Sequence, residues 1–147
     1  AYLEIPVTYL VPAGSPLKTF KDIDSAGVRI SVADKSAYHL FLTRTLKNAE
    51  LVAADGIEGS FKMFAELKLE ALAGLKPRLI EDLARLPGSR IIEGQVTAVQ
   101  QSIGTPKSRE TGARYLREFV EDVKKSGFVG EAISRHKVNG VTVAPRA

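Results

Sequence analysis

A short polar break, Asp34 to Ser36, is the part of the sequence best suited to hold a small anion. Before it, Val28, Ile30 and Val32 alternate with polar residues, which predicts a strand. After it, apolar residues recur at helical spacing from Ala37, which predicts a helix. Such a junction points unpaired backbone N–H groups, and the positive end of a helix dipole, at the space above the carboxyl end of the strand. That space suits a small anion.

This junction has two interpretations. The cation Lys35, at the start of the helix, could pair with an anion. Alternatively, the junction is a plain turn capped by Ser36 or Asp34, with Lys35 in solvent. Two further strand-to-helix breaks, Asp55 to Glu58 and Gly74 to Lys76, are expected at the same edge of a parallel sheet. The three breaks are the candidate binding spots.

Other patterns that carry chemistry are absent. The sequence has no glycine-rich phosphate-binding motif and no nucleophile elbow. Ser36 and His39 are three residues apart on one predicted helix, but no third group is placed to orient them. The absence of cysteine excludes a thiolate metal site, and two histidines cannot make a His-rich one. We therefore expect no catalytic site, no metal and no other cofactor.

The elements that position these breaks alternate between strand and helix, which predicts an α/β fold. A mainly parallel sheet with right-handed crossovers and helices on both faces is the arrangement that this order favours. Pro6 cannot donate a ladder hydrogen bond, so its end of the first strand is expected at an edge or crossover. The predicted strands are 1–12, 28–32, 50–54, 69–73, 90–93 and 95–103; helices from 109 and 128 and an irregular tail, 139–147, follow.

The composition indicates one ordinary globular domain of 147 residues, with 44% hydrophobic and 26% charged residues. The net charge of +4 would help to attract an anionic ligand. Basic residues are interleaved with acidic ones, so we expect no nucleic-acid binding. No apolar run is long enough to cross a bilayer, and the opening residues do not have the pattern of a signal peptide.

Six segments, taken in order, resemble a known family. Their order and spacing are similar to those of the bacterial extracellular solute-binding proteins of family 3. These are the periplasmic receptors of ABC importers, best known for polar amino acids. The segments are 9–16 (YLVPAGSP), 27–32 (GVRISV), 35–38 (KSAY), 71–74 (ALAG), 99–107 (VQQSIGTPK) and 115–121 (YLREFVE).

The resemblance implies two α/β lobes joined by two extended crossovers, with the ligand held in the cleft between them. Residues 1–12 would be the first crossover, 13–94 the second lobe, and 95–108 the return crossover. Residues 109–147 would be the C-terminal helices, which pack on the first lobe. On this reading the first lobe is absent from the chain.

The resemblance also implies a set of ligand-binding residues. Amino-acid receptors of the family usually place an aspartate just after the third strand of this lobe, where this chain reads Ala73 to Lys76 without an acid. A small organic anion is therefore expected in preference to a free amino acid. The expected ligand-binding residues are Asp34, Lys35, Ser36, Ala37, Tyr38, Gly74, Leu75 and Gln100.

The function implied is solute capture for an ABC permease in the periplasm, without catalysis. One alternative is a periplasmic dehydratase-like enzyme on the same fold, which would need Glu58 or Glu70 as an acid in the cleft. A second alternative is a sensory ligand-binding domain.

An apolar stripe on the helix from 109 predicts association with another surface. The stripe is formed by Leu116, Phe119, Val120 and Val123. Exposed apolar stripes tend to find another surface, so we expect a homo-oligomer, in particular a domain-swapped dimer. The alternative is that a separate chain or fragment supplies the first lobe.

Overall fold

The protein, described by a computed structural model over residues 1–147, is built on one seven-stranded sheet. The strands are β1 (Leu3–Val11), β2 (Arg29–Ala33), β3 (Glu50–Ala54), β4 (Ala71–Leu75), β5 (Arg90–Ile91), β6 (Thr97–Gln101) and β7 (Thr142–Val143). The helices are α1 (Phe20–Ile23), α2 (Ala37–Thr45), α3 (Gly56–Glu66), α4 (Lys76–Arg85), α5 (Glu110–Lys125) and α6 (Phe128–Arg135).

The sheet is mixed, with the order β3-β2-β4-β1-β5. Strands β2, β3 and β4 are parallel, as expected for alternating strands and helices. β1 runs antiparallel to β4, β5, β6 and β7. The α/β class is confirmed, but the sheet is not mainly parallel, because β1 enters from the edge at which the parallel strands end.

Pro6 lies between two partners on one side of β1, with β4 on one side of it along the strand and β7 on the other. It is paired on one side only, opposite Ala98 of β6. Pairing of β1 with β4 begins one residue later, at Val7 opposite Leu75. Before Pro6, Leu3 and Glu4 pair with β6 on one side and with β7 on the other, so this end of β1 is not an edge of the sheet. Its role as a crossover stays a prediction.

Helices cover both faces of the sheet, and alternate strand residues supply two apolar cores. Tyr9 of β1 packs in a core with α1 and α2, whereas its neighbour Leu10 packs in a core with α3 and α4. The same alternation separates Ala71 and Ala73 of β4 from Leu72. Each fully buried large side chain contributes about 1.5–3 kcal/mol to folding.

Local signals fix the starts of several helices. Thr19 forms a capping box with Asp22 at the start of α1. Pro77 lies in the first turn of α4, where a missing N–H costs nothing. β4 ends at Leu75, two residues beyond the predicted end of that strand.

The end of the chain departs from the sequence prediction. The tail was expected to be irregular, but Thr142 and Val143 pair with β1 as β7. α5 and α6 pack on each other and bury few side chains, among them Val120 and Val129. No helix in the structure has the length and apolar character needed to cross a membrane.

Candidate functional site

The three candidate junctions lie along one edge of the sheet, since β2, β3 and β4 are parallel and end there. Ala33, the last residue of β2, is in register with Ala54, the last residue of β3. The N–H of Asp34 then donates to the carbonyl of Ala54 at 2.8 Å, which ties the first junction to the second. The first turns of α2, α3 and α4 therefore start from one edge, which we call the carboxyl edge.

Ser36 is the residue that caps α2. Its Oγ accepts a hydrogen bond from the N–H of His39 at 3.0 Å and donates one to the carbonyl of Ala33 at 2.8 Å. The cap satisfies one of the four N–H groups that a helix start leaves without intrahelical partners. Of the two caps that the sequence allowed, the structure selects Ser36.

Lys35 lies in the tightest part of this turn. Its φ of 58° is in the left-handed region, and its N–H donates to Nδ1 of His39 at 3.0 Å. Asp34 Oδ1 is 3.3 Å from the same ring nitrogen. The His39 ring therefore braces the junction from the first turn of α2, a role that the sequence did not suggest.

The five expected site residues of this junction differ in exposure. Asp34, Lys35 and Ala37 are exposed and Ser36 is half-buried, so these four line the carboxyl edge. Tyr38 is only 4% exposed and belongs to the core beside α2. Burial raises the pKa of its phenol. Its part in ligand binding stays a prediction.

The other expected residues lie apart from this junction. Gly74 is buried in β4 and Leu75 is half-buried at its end. Gln100 is exposed on β6, and its Nε2 donates to Glu4 Oε1 at 2.8 Å. In the sheet, Gln100 is opposite Glu4 of β1, whereas Leu75, the last residue of β4, is opposite Val7. Glu4 and Val7 are three residues apart, so Gln100 lies about 10 Å beyond the end of β4 along the strand direction. The structure does not bring Gln100 together with the three junctions.

The charges at the carboxyl edge fall into two groups. Lys35 and Lys76 form no ion pair, and the carboxylates of Asp34 and Asp55 are exposed. Glu58 is ionised and paired with two arginines, because hydrogen bonds from Arg85 and Arg78 lower the pKa of its carboxyl to about 2.

The ion pairs of Glu58 with Arg78 and Arg85 were not predicted from the sequence. Asp82 is 1% exposed, and its Oδ1 is 3.2 Å from both Arg78 Nε and Arg85 Nη1. Arg85 also lies over the ring of Phe61, 3.8 Å from its centroid. The spacing of Arg78, Asp82 and Arg85 on one helix could have predicted their contacts with one another. The contact with Glu58, 20 residues before Arg78, could not be predicted from spacing.

Glu70 lies at the opposite edge of the sheet. Its carboxylate accepts hydrogen bonds from Arg29 Nη2 at 2.8 Å and from Arg29 Nε at 2.9 Å. The pKa of Glu70 is lowered to about 2, chiefly by these side-chain bonds. Glu58 and Glu70 are therefore both ionised and paired at neutral pH, and neither can serve as a proton donor there. No group of three His, Asp or Glu residues is placed to hold a metal ion.

Neither a known protein family nor a curated protein matches this sequence. Solved structures do match its fold. ArgBP from T. maritima, as a mutant, superposes with a TM-score of 0.68 at 18% identity, over 91% of this chain and 58% of its own. An ancestral amino acid-binding protein, a precursor of cyclohexadienyl dehydratase, gives 0.68 at 13% identity, over 90% of this chain and 57% of its own.

A third match names the system in which such proteins act. A binding component of an ABC transporter from Wolinella succinogenes, solved with lysine, gives a TM-score of 0.67 at 18% identity. The match includes 90% of this chain and 58% of the Wolinella protein. The chain thus spans less than two thirds of the structures that it matches, and over nearly all of its own length it has the periplasmic-binding-protein fold.

Proposed function

We propose that this chain is part of the solute-capturing component of an ABC importer and binds a small polar or anionic organic solute at the carboxyl edge. The observation that carries the proposal is the convergence of three strand ends and helix starts at that edge, with Lys35 exposed and free of an ion pair. The fold supports it, since ABC-importer binding components share it.

The solute that fits this edge carries a carboxylate. The start of α2, nine residues long, offers backbone N–H groups and the positive end of its dipole. Lys35 adds a point charge beside them. The exposed carboxylates of Asp34 and Asp55 could hold a donor on the same solute, such as a hydroxyl or an ammonium.

The remaining parts of the assembly follow from the same proposal. Residues 1–12 and 95–108 act as crossovers and 13–94 as the ligand-binding lobe. The receptor works in the periplasm, and its partner is the membrane-embedded ABC permease. ArgBP is covered over 58% of its length, so the proposed receptor includes a further lobe that provides the opposite wall of the cleft. α5 and α6 (within 109–147) would pack against that lobe.

The proposed role is binding without catalysis. The dehydratase-like alternative needed Glu58 or Glu70 as an acid, and both are paired with arginines. A sensory role would use the same solute site and differ only in the partner.

A titration followed by NMR tests the solute site. Succinate and L-lysine, added separately to the labelled chain, should shift the amide signals of residues 34–38 and 55–58. Lys35→Met should weaken succinate binding about tenfold, the value of one hydrogen-bonded charge contact. Lys62→Met, on the exposed middle of α3, is the matched control and should leave the affinity unchanged. Shifts confined to other parts of the chain, or none with either solute, would overturn the proposal.

A further inference from the structure

The tail of the chain lies beyond the end of β4, on the same side of β1. Leu75, at the end of β4, is opposite Val7. Further along β1, Thr142 is opposite Glu4. β6 fills the other side of β1 at both positions, so β7 continues the line of β4 past the carboxyl edge.

Gly140 seats the tail on the first turn of α4. A Cβ at this position would stand 3.0 Å from Ile80 Cδ1, 3.1 Å from the backbone nitrogen of Pro77 and 3.3 Å from Lys76 Cγ. The φ of Gly140 is +81°, which L side chains rarely adopt. Because Pro77 has no N–H, this contact covers the helix start without burying an unpaired donor there.

Further contacts hold the tail on either side of this seat. The N–H of Ala144 donates to the carbonyl of Tyr2 at 3.1 Å, and Ala144 is 5% exposed. Lys124 of α5 donates from Nζ to the carbonyl of Pro145 at 2.9 Å. The tail is thus bound at once to β1, to α4 and to the C-terminal helices.

We propose that residues 139–144, which we call the strap, form a fixed wall of the solute site. The strap closes the carboxyl edge at β4, so a solute binds over the ends of β2 and β3. The wall leaves Asp34, Lys35 and Asp55 as the charged groups open to the solute. The statement about the solute rests on the proposed function, whereas the docking of the strap does not.

Hydrogen exchange on the full chain tests the docking. Gly140→Ala and Gly140→Val should raise the exchange rate of the Ala144 amide and of the first turn of α4 by about tenfold or more. Amides of β2 and β3 should keep their rates.

Two glycines provide matched controls. Gly27 has a φ of +85°, similar to that of Gly140, and no atom lies within 4 Å of the Cβ that Gly27→Ala would add. Gly27→Ala therefore introduces the backbone strain of Gly140→Ala without its steric clash. Gly104→Ala has neither. Equal effects of Gly140→Ala and Gly27→Ala on the Ala144 amide, or a uniform rise along the chain for Gly140→Ala, would overturn the docking.

The solute titration tests the wall. In the unaltered chain, succinate or L-lysine should shift residues 34–38 and 55–58 but not Gly74 and Leu75. In Gly140→Val the shifts should spread to Gly74 and Leu75. Shifts at Gly74 in the unaltered chain would overturn the wall. No shift with either solute would overturn both the wall and the proposed function, while the exchange rates would still decide the docking.

Discussion

The sheet unit, residues 3–101, and the C-terminal helices α5 and α6 bury their aromatic side chains to very different extents. Phe64, in the sheet unit, is 2% exposed, and Tyr9 is 1% exposed. In the helices, Phe119 is 44% exposed and Phe128 is 59% exposed. Phe119 stacks on Tyr115, which is itself largely in solvent. Two cores serve the sheet unit, whereas the helices bury only two apolar side chains.

The sheet unit buries its own large apolar side chains, whereas α5 and α6 leave an apolar face exposed that another surface could bury. Helical stability in proteins comes mostly from packing of the apolar face, so helices with an open face are held weakly. Exposed aromatic residues on neighbouring helices form an apolar patch of the kind that marks an interaction surface. The proposed lobe or a second copy of the chain would supply that cover.

The largest expected effect contrasts one phenylalanine from each region. Phe64→Ala should lower the free energy of unfolding by about 3–5 kcal/mol, because it opens a cavity among buried residues. Phe119→Ala should lower it by about 1 kcal/mol or less, because its side chain is already 44% exposed. Urea unfolding followed by circular dichroism measures both. Equal losses would show that α5 is as well packed as the sheet unit.

Helix caps give the next largest effect. Ser36→Ala removes the side-chain cap of α2 and should cost about 1 kcal/mol. Arg109→Ala changes a residue that makes no side-chain cap at the start of α5, so no loss is expected. Thermal unfolding of the two variants makes the comparison. A loss for Arg109→Ala as large as that for Ser36→Ala would contradict it.

Acid should weaken the sheet unit through Glu70. The pKa of Glu70 falls from 4.5 to about 2 on folding, so its pair with Arg29 stabilises the fold above pH 4.5. That stability is lost as the pH falls towards 2. Glu70→Gln should therefore flatten the loss of stability between pH 4.5 and 2.

The matched variant for this test is Glu121→Gln on α5. Lys124 lowers the pKa of Glu121 chiefly through one side-chain hydrogen bond within the helix, whereas Glu70 accepts three hydrogen bonds from Arg29. The urea midpoint of Glu121→Gln should fall with decreasing pH nearly as steeply as that of the unaltered chain. An unchanged slope in Glu70→Gln would show that its pair with Arg29 does not set the acid sensitivity.

The smallest effect on stability is expected at the open face itself. Phe119→Asp should leave the unfolding free energy of the isolated chain nearly unchanged and should reduce self-association. Sedimentation of both forms over a range of concentrations measures this. A compact monomer in concentrated solution of the unaltered chain would show that α5 does not pair with a second copy.

Much of the sheet unit could be predicted because its signals are local. Thr19, Ser36 and Pro77 each act within one turn of their own position, so their effect does not depend on distant partners. The alternation that predicted β2 is also a local signal, because successive side chains of a strand point to opposite faces of the sheet.

What the sequence did not reveal depends on distant partners. β7 consists of two exposed residues, and only its pairing with β1 makes it a strand. The antiparallel course of β1 likewise depends on strands that follow it. The special role of Gly140 is visible only once α4 lies against it. Tyr38 was expected at the site from the family resemblance of residues 35–38, and its place in the core depends on how α2 packs on the sheet.

Within residues 1–147, β1 precedes all of its strand partners and is among the last strands that can be completed. Its partners are β4, β5, β6 and β7, so Leu3 finds its final neighbour, Val143, only near the end of the chain. Such non-local pairing slows folding, because loop closure costs entropy before the contacts form. A ribosome-bound chain stopped before residue 71 would leave β1 without any strand partner, with its apolar side chains open to aggregation or chaperones.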